Sequence, residues 1–161
     1  MECSVVLDTD LPGREPDEVY AYLVDFERYP ELTTSVVSVG VRRSSATRVT
    51  SSWEVRFRRG VLEWTEADVL DPVARRVDFT QEDGDFAHFS GSWAVDPLPA
   101  GTRVTFTSRF DLGVASLASL VDPVAATAMR DGISDILRGL FGADIVIREL
   151  AVVPAAGGVR A

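Results

Sequence analysis

Val49-Thr50-Ser51-Ser52-Trp53-Glu54-Val55-Arg56-Phe57, then Arg58-Arg59-Gly60-Val61, then Leu62-Glu63-Trp64-Thr65-Glu66-Ala67-Asp68-Val69-Leu70, is the stretch that decides the fold. Its period is two. Val49, Ser51, Trp53, Val55 and Phe57 share one face, with Arg48, Thr50, Ser52, Glu54, Arg56 and Arg58 opposite. Arg59-Gly60 reads as a turn. On the returning strand Leu62, Trp64, Glu66, Asp68 and Leu70 share a face until Asp71-Pro72 breaks it. Outward from this pair the alternation continues. Val37, Val39 and Val41 precede it; Val77, Phe79 and Gln81 follow. Asp83-Gly84 is a hairpin signal. Ala87, Phe89, Gly91, Trp93 and Val95 form the next face, and Val104, Phe106, Ser108, Phe110 and Leu112 the last. Consecutive short strands with this alternation predict an antiparallel meander with one dry face and one wet face.

The flanks supply helices. Cys3 to Thr9 reads as a short strand, and Val19, Leu23 and Phe26 recur at helical spacing from Pro16 onward. Glu27-Arg28-Tyr29-Pro30 ends that helix, because a residue before proline is pushed out of the helical region; a second helical turn is expected after it. Asp122-Pro123 reads as a helix start, followed at 3.6-residue spacing by Val124, Ala128, Met129, Ile133, Ile136, Leu137 and Leu140. Gly132 and Gly139 each cost about 1 kcal/mol there against alanine, so close packing on the sheet or room for a ligand is the expected return. The expectation is an α+β fold. A curved antiparallel sheet of about seven strands wraps a long C-terminal helix, with one or two short helices after the first strand. The space between sheet and helix becomes a pocket. Residues 1–150 are read as a single ligand-binding domain and 151–161 as a flexible tail.

Composition narrows the function. A chain of 161 residues fits one domain and needs no disulfide or metal to fold. A single cysteine, Cys3, and a single histidine, His88, argue against a disulfide or a structural zinc site, so no metal is expected and a reducing, cytoplasmic setting is the default. No apolar run reaches the roughly 18 residues of a membrane span. The net charge of −9 disfavours nucleic acid, which needs a basic face. Every basic residue is arginine, and six lie between Arg42 and Arg59, as an anion-contacting patch or a solvated strand face.

The order of elements, together with Val24-Asp25-Phe26-Glu27-Arg28-Tyr29-Pro30-Glu31-Leu32, Trp64 to Pro72, His88-Phe89-Ser90-Gly91-Ser92-Trp93 and Thr105 to Phe110, resembles the START-like helix-grip superfamily (SRPBCC) over about residues 3–141. That group includes polyketide cyclase/aromatases and coenzyme-Q-binding proteins. The resemblance is greatest to the single-domain polyketide cyclases, which fold poly-β-ketone chains by aldol condensation and dehydration. It implies an arginine four residues after the strand tryptophan, where this chain has Asp68. It implies a second arginine near Gln81 and a tyrosine at Val36. The enolate-stabilising cation of the family pattern is therefore missing.

The residues themselves point to an aromatic pocket. Parity puts Trp53, Trp64 and Trp93 on the dry face with Phe57, Phe79, Phe89, Phe106 and Phe110, more than one helix covers. Glu66 and Asp68 share that face, about 7 Å apart as i and i+2 on a strand. Buried among aromatics they would be general acid and base, unless the strand end twists into solvent or arginine pairs them. Gln81 and Ser108 point inward, to orient a carbonyl or to satisfy each other. Tyr29 is placed to close the entrance or donate its hydroxyl, Asp135 to reach the mouth, and Met129 and Ile133 to form the helix wall. His88 falls on the wet face unless Gly91 marks a bulge that changes parity. No nucleophile-elbow serine, phosphate loop or dinucleotide fingerprint is present.

The expected function is a polyketide cyclase/dehydratase-like enzyme with no cofactor. Asp68 and Glu66 are its catalytic pair. Trp53, Trp64, Gln81, Phe89, Trp93, Phe106, Ser108, Tyr29, Met129 and Ile133 bind an apolar or aromatic substrate. The alternative is a non-catalytic carrier of a quinone, lipid or antibiotic. If the substrate is carried on an acidic acyl-carrier protein, Arg56, Arg58 and Arg59 are the expected docking face. The chain is expected as monomer or homodimer, since sheet edges can pair.

Overall fold

The computed structural model describes residues 2–57, 60–113 and 118–150, with side chains in the last helix described from Ala125 on. Strand β1 (Cys3–Pro12) is followed by α1 (Pro16–Val24), a 3-10 turn (Phe26–Arg28) and the four-residue α2 (Tyr29–Leu32). Six strands follow: β2 (Val36–Arg43), β3 (Arg48–Phe57), β4 (Gly60–Asp71), β5 (Arg76–Gly84), β6 (His88–Leu98) and β7 (Gly101–Asp111). Helix α3 (Ala118–Phe141) and a short β8 (Ile147–Glu149) complete the order. All strands join one antiparallel sheet in the order β2-β3-β4-β5-β6-β7-β1-β8.

The sheet therefore has eight strands. The eighth is held by side chains rather than by a long ladder. Arg148 donates from Nε to the buried Asp8 carboxylate at 2.6 Å and from Nη2 to Asp10 at 3.0 Å. Thr9 donates its hydroxyl to the Val146 carbonyl at 2.8 Å. Helix α3 begins at Ala118, four residues before the expected Asp122 cap. The C-terminal 151–161, read as a tail, lies outside the described residues.

Three glycines explain how the layers close. Gly91 pairs in register with Phe79 and Ser108, so it makes no bulge and the parity of His88 holds. A Cβ there would lie 2.7 Å from the Phe79 ring, which the bare glycine admits. Gly139 lets α3 close not on the sheet but on α2, since a Cβ would stand 2.3 Å from the Leu32 carbonyl oxygen. Gly132 is the opposite case. A Cβ at that position would meet nothing within 4 Å.

Candidate functional site

The register of β3 and β4 assembles the site. The pairing of Phe57 with Gly60 sets Trp53 across from Trp64 and Ser51 across from Glu66. Directly opposed residues share a face, so all four point inward, with Asp68 two residues on. The two indoles stack with centroids 6.1 Å apart. Their neighbours extend the aromatic surface: Phe26 and Tyr29 meet Trp53 edge-on, while Phe86 and Phe89 meet Trp64 edge-on. A bulge interrupts β4–β5 pairing where Thr65 faces Asp83 and Glu66 faces Gln81, leaving Glu82 extra. Bulges near a site re-aim side chains, and this one adjoins Glu66.

A largely apolar cavity lies between this surface and α3. Trp53, Trp64, Trp93, Phe89 and Phe106 line it from the sheet, with Phe26 and Tyr29 from the entry helices. Ala128, Met129, Gly132, Ile133 and Ile136 form the helix wall. Glu66 and Asp68 line it as its carboxylates, and Arg56 lines it as its cation among the described residues. The carboxylates are deeply buried, Glu66 at 5% exposure and Asp68 at 1%. Neither meets an arginine in the described structure.

The carboxyl pair is held by a short network. Trp64 donates its indole N–H to Glu66 Oε1 at 2.7 Å. Trp53 donates to Ser51 Oγ at 2.8 Å, and Ser51 donates its hydroxyl to Asp68 Oδ2 at 2.5 Å. Asp68 Oδ1 is buried, and no hydroxyl, amide or guanidinium group among the described residues donates to it. Burial pushes Glu66 well above the ordinary carboxyl range, and the hydrogen bond and charge of Asp68 push it further. Burial also raises Asp68, opposed by the hydrogen bonds it accepts from Glu66 and Ser51. The physical state that follows is a protonated Glu66 donating to an ionised Asp68: two acceptors cannot bond each other, and one proton between them removes the conflict.

Stability should depend on pH accordingly. Both groups hold protons more tightly folded than unfolded, so the stability they contribute is fully present below the unfolded values near 4.5 and 3.8 and is lost as pH rises through the folded ones. Glu66→Gln keeps an acceptor for Trp64 and removes the larger of the two effects. Its melting temperature should exceed that of the wild type at neutral pH, with the gap closing as pH falls toward 4.5. Calorimetry across that interval checks it; a gap that widens on acidification would refute the assignment.

Several expectations require correction. Gln81 does not line the cavity. Its amide donates to the Phe86 carbonyl at 2.9 Å and accepts from the Phe86 N–H at 3.3 Å, so it clips the β5–β6 turn. That clip carries the Phe86 ring into the cavity wall. Ser108 does not line it either; its hydroxyl donates to the Val5 carbonyl at 3.4 Å. Tyr29 contributes only its ring, because its hydroxyl donates to the Leu23 carbonyl at 2.6 Å and burial raises its pKa well above the usual phenol. Asp135 accepts from Ser35 at 3.0 Å, away from the mouth. His88, by contrast, lies where its parity puts it, exposed beside Ser90 on the wet face. Arg58 and Arg59 lie outside the described residues. Ser51 and Phe86 have roles that the sequence reading does not assign, while Gly132 takes the second of the two roles expected of it, room in the cavity wall. For Ser51 a signal exists, since it is a polar residue among apolar ones on the dry face.

Comparison with known proteins agrees with this architecture. Residues 13–136 match the family described as polyketide cyclase/dehydrase and lipid transport, and the chain belongs to that family. The granaticin polyketide synthase bifunctional cyclase/dehydratase of Streptomyces violaceoruber is 31% identical over 123 residues, which is 72% of this chain and 38% of that protein. This chain thus spans less than half the length of that relative. Among solved structures, TTHA0849 from Thermus thermophilus superposes with a TM-score of 0.80 at 25% identity, over 86% of this chain and 94% of that one. The Zhui aromatase/cyclase from Streptomyces sp. R1128 superposes with a TM-score of 0.73 at 17% identity, over 89% and 92%, and shares the fold. No helix among the described residues is long and apolar enough to cross a membrane.

Proposed function

We propose that this protein is a cofactor-independent polyketide cyclase/dehydratase that folds an apolar poly-β-ketone inside the aromatic cavity and moves its protons with Asp68 and Glu66. The observation that carries the reading is the buried carboxyl pair lining a cavity otherwise walled by aromatic and aliphatic side chains. Ionised Asp68 removes a proton from carbon between two carbonyls. The resulting carbanion attacks a second carbonyl of the same chain, and the new C–O⁻ takes the proton of Glu66. In the dehydration the Glu66 carboxylate takes a proton from the carbon beside the new carbinol, the C–O bond breaks as Asp68 gives its proton to the departing hydroxyl, and water leaves with the pair restored to its starting state. Flat aromatic walls hold the chain in a folded near-attack shape. The oxyanion is stabilised by the Glu66 proton, since the position the family gives to arginine holds Asp68.

Arg56 supports a carrier-bound substrate. Its Nε is fixed by the Thr34 carbonyl at 3.0 Å, at the mouth of the cavity. An acidic carrier protein would dock there with its acyl chain pointing inward. Arg56→Ala should weaken capture of acyl-carrier protein several-fold at low salt and little at high salt, measured by surface plasmon resonance. An unchanged low-salt affinity would remove this docking face.

The test of the function is reconstitution with a minimal polyketide synthase. Adding the protein should shift the product profile from spontaneous mixtures to one cyclised, dehydrated product. An unchanged profile across chain lengths would favour the second reading, a carrier of apolar molecules, which the family's span from cyclases to lipid transport keeps in view.

A further inference from the structure

The hydrogen bonds around the carboxyl pair bear on which of the two carries the charge. Register sets three rows on the inner face of β3 and β4: Trp53 with Trp64, Ser51 with Glu66, and Val49 with Asp68. The stacked indoles each reach one row along their own strand, Trp53 to Ser51 Oγ at 2.8 Å and Trp64 to Glu66 Oε1 at 2.7 Å. An indole N–H can only donate, so it fixes the direction of the bond it makes. Ser51 is fully buried, where an unspent hydroxyl proton is costly, and its proton goes to Asp68 Oδ2 at 2.5 Å although Glu66 is the residue directly opposite. That length suits a hydroxyl donating to a charged oxygen. Accepting from Trp53 also makes the hydroxyl a stronger donor.

One proton shared by the pair has two places. On Glu66, it leaves Asp68 accepting from Ser51 and Glu66. On Asp68, it leaves Glu66 accepting from Trp64 and Asp68. Each arrangement gives the charged group two donors, so the outer donor, Ser51 or Trp64, decides between them. Ser51 is the one backed by a second donor, Trp53. The other facing groups do not reverse this. The Tyr29 hydroxyl is spent on the Leu23 carbonyl and the Gln81 amide on Phe86. Arg56 is tied to the Thr34 carbonyl at the mouth, and the described α3 wall, from Ala128 to Ile136, lines the cavity with uncharged side chains. Glu82 opposes charge on Asp68, by less than the Ser51 bond favours it.

We infer that Ser51, held by Trp53, is a positioning residue that places the negative charge of the pair on Asp68 and leaves the proton on Glu66. The inference rests on the proposed function for the use of that charge, not for its place. Without the Ser51 hydroxyl, Asp68 keeps one donor and Glu66 two, so the charge crosses to Glu66 and the two carboxyls exchange roles. Loss of the Trp64 N–H works the other way and holds the charge on Asp68. A serine that served packing alone would move the charge in neither direction.

Carbon NMR of the full chain, labelled at its aspartate and glutamate carboxyl carbons and titrated with acid and base, tests this. Asp68→Asn and Glu66→Gln assign the two buried signals. Between the two titration steps of the pair, the wild type should show an ionised Asp68 and a protonated Glu66. Ser51→Ala should lower the ratio of Asp68-ionised to Glu66-ionised protein by about tenfold or more, the size of one hydrogen bond to a charged group. Trp53→Phe should lower it by less, and Trp64→Phe should leave the charge on Asp68. An ionised Glu66 in the wild type, or loss of both protons in one step, would overturn the inference without recourse to a variant. So would a ratio unchanged by Ser51→Ala, or a charge moved to Glu66 by Trp64→Phe. The charge is read without substrate. Charge on Asp68 in a protein that cyclises nothing sinks the enzyme reading alone, and cyclisation with the charge on Glu66 sinks this inference alone.

Discussion

Replacing Asp68 by Asn and Glu66 by Gln together is expected to lower formation of the cyclised product by about 10²–10⁴-fold, the usual range for a positioned acid and base. The fold should survive, because both replacements keep acceptors for Ser51 and Trp64, whose bonds at 2.5 and 2.7 Å frame the pair. Removing a buried charge should stabilise the protein at neutral pH, so lost activity cannot be assigned to unfolding if the melting temperature rises. The wild-type rate should follow a bell in pH, since one carboxyl must be ionised and the other protonated. Both limbs belong to the pair rather than to one residue. Because burial raises both groups, the bell should sit at higher pH than two exposed carboxyls would give. Single-turnover product analysis checks the loss. Undiminished cyclisation by the double variant would leave the cavity as a folding template and remove the acid–base roles.

The same substitution at two glycines on α3 should have opposite effects. At Gly139 a methyl group stands 2.3 Å from the Leu32 carbonyl oxygen and 3.0 Å from Thr33. The Leu32 backbone leaves little room to give, so Gly139→Ala should cost about 1–3 kcal/mol through overpacking, offset by about 1 kcal/mol of helix propensity. At Gly132 nothing lies within 4 Å of the added carbon. Gly132→Ala should gain about 1 kcal/mol of helix propensity with no clash, and raise the melting temperature. It should also take space from the ligand, and Gly132→Leu should abolish ligand binding in a protein that remains folded. Thermal denaturation with ligand titration separates these outcomes. Destabilisation by Gly132→Ala would mean that the helix wall is closed where the cavity is placed.

The fold was legible because its signals are periodic and local. The alternation from Val49 to Leu70 fixes two strands, and the pairing of Phe57 with Gly60 sets the register that places Ser51 against Glu66 and Trp53 against Trp64. That register was within reach of the sequence and would have given Ser51 its role. The inward position of both carboxylates followed from parity. The fates of Gln81 and Ser108 did not, since parity tells which way a side chain leaves the strand and not what it meets. A backbone amide in the next turn captures one, and a carbonyl of the neighbouring strand the other. Phe86 sits in a turn after Asp83-Gly84, where period two carries no information, and enters the cavity because Gln81 holds its backbone. β8 is three residues long and is fixed by Arg148 on Asp8, a contact between residues 140 apart in sequence. The two glycines read identically in sequence, each as a weak spot in a helix. Only the distance to α2 distinguishes the packing glycine from the one facing open space.

Native mass spectrometry of the protein purified from its own host, with the released molecule identified, shows whether the cavity holds a polyketide. A polyketone or aromatic polyketide is expected, retained by the wild type and absent from Gly132→Leu. A fatty acid or a quinone, retained equally by both proteins, would contradict it.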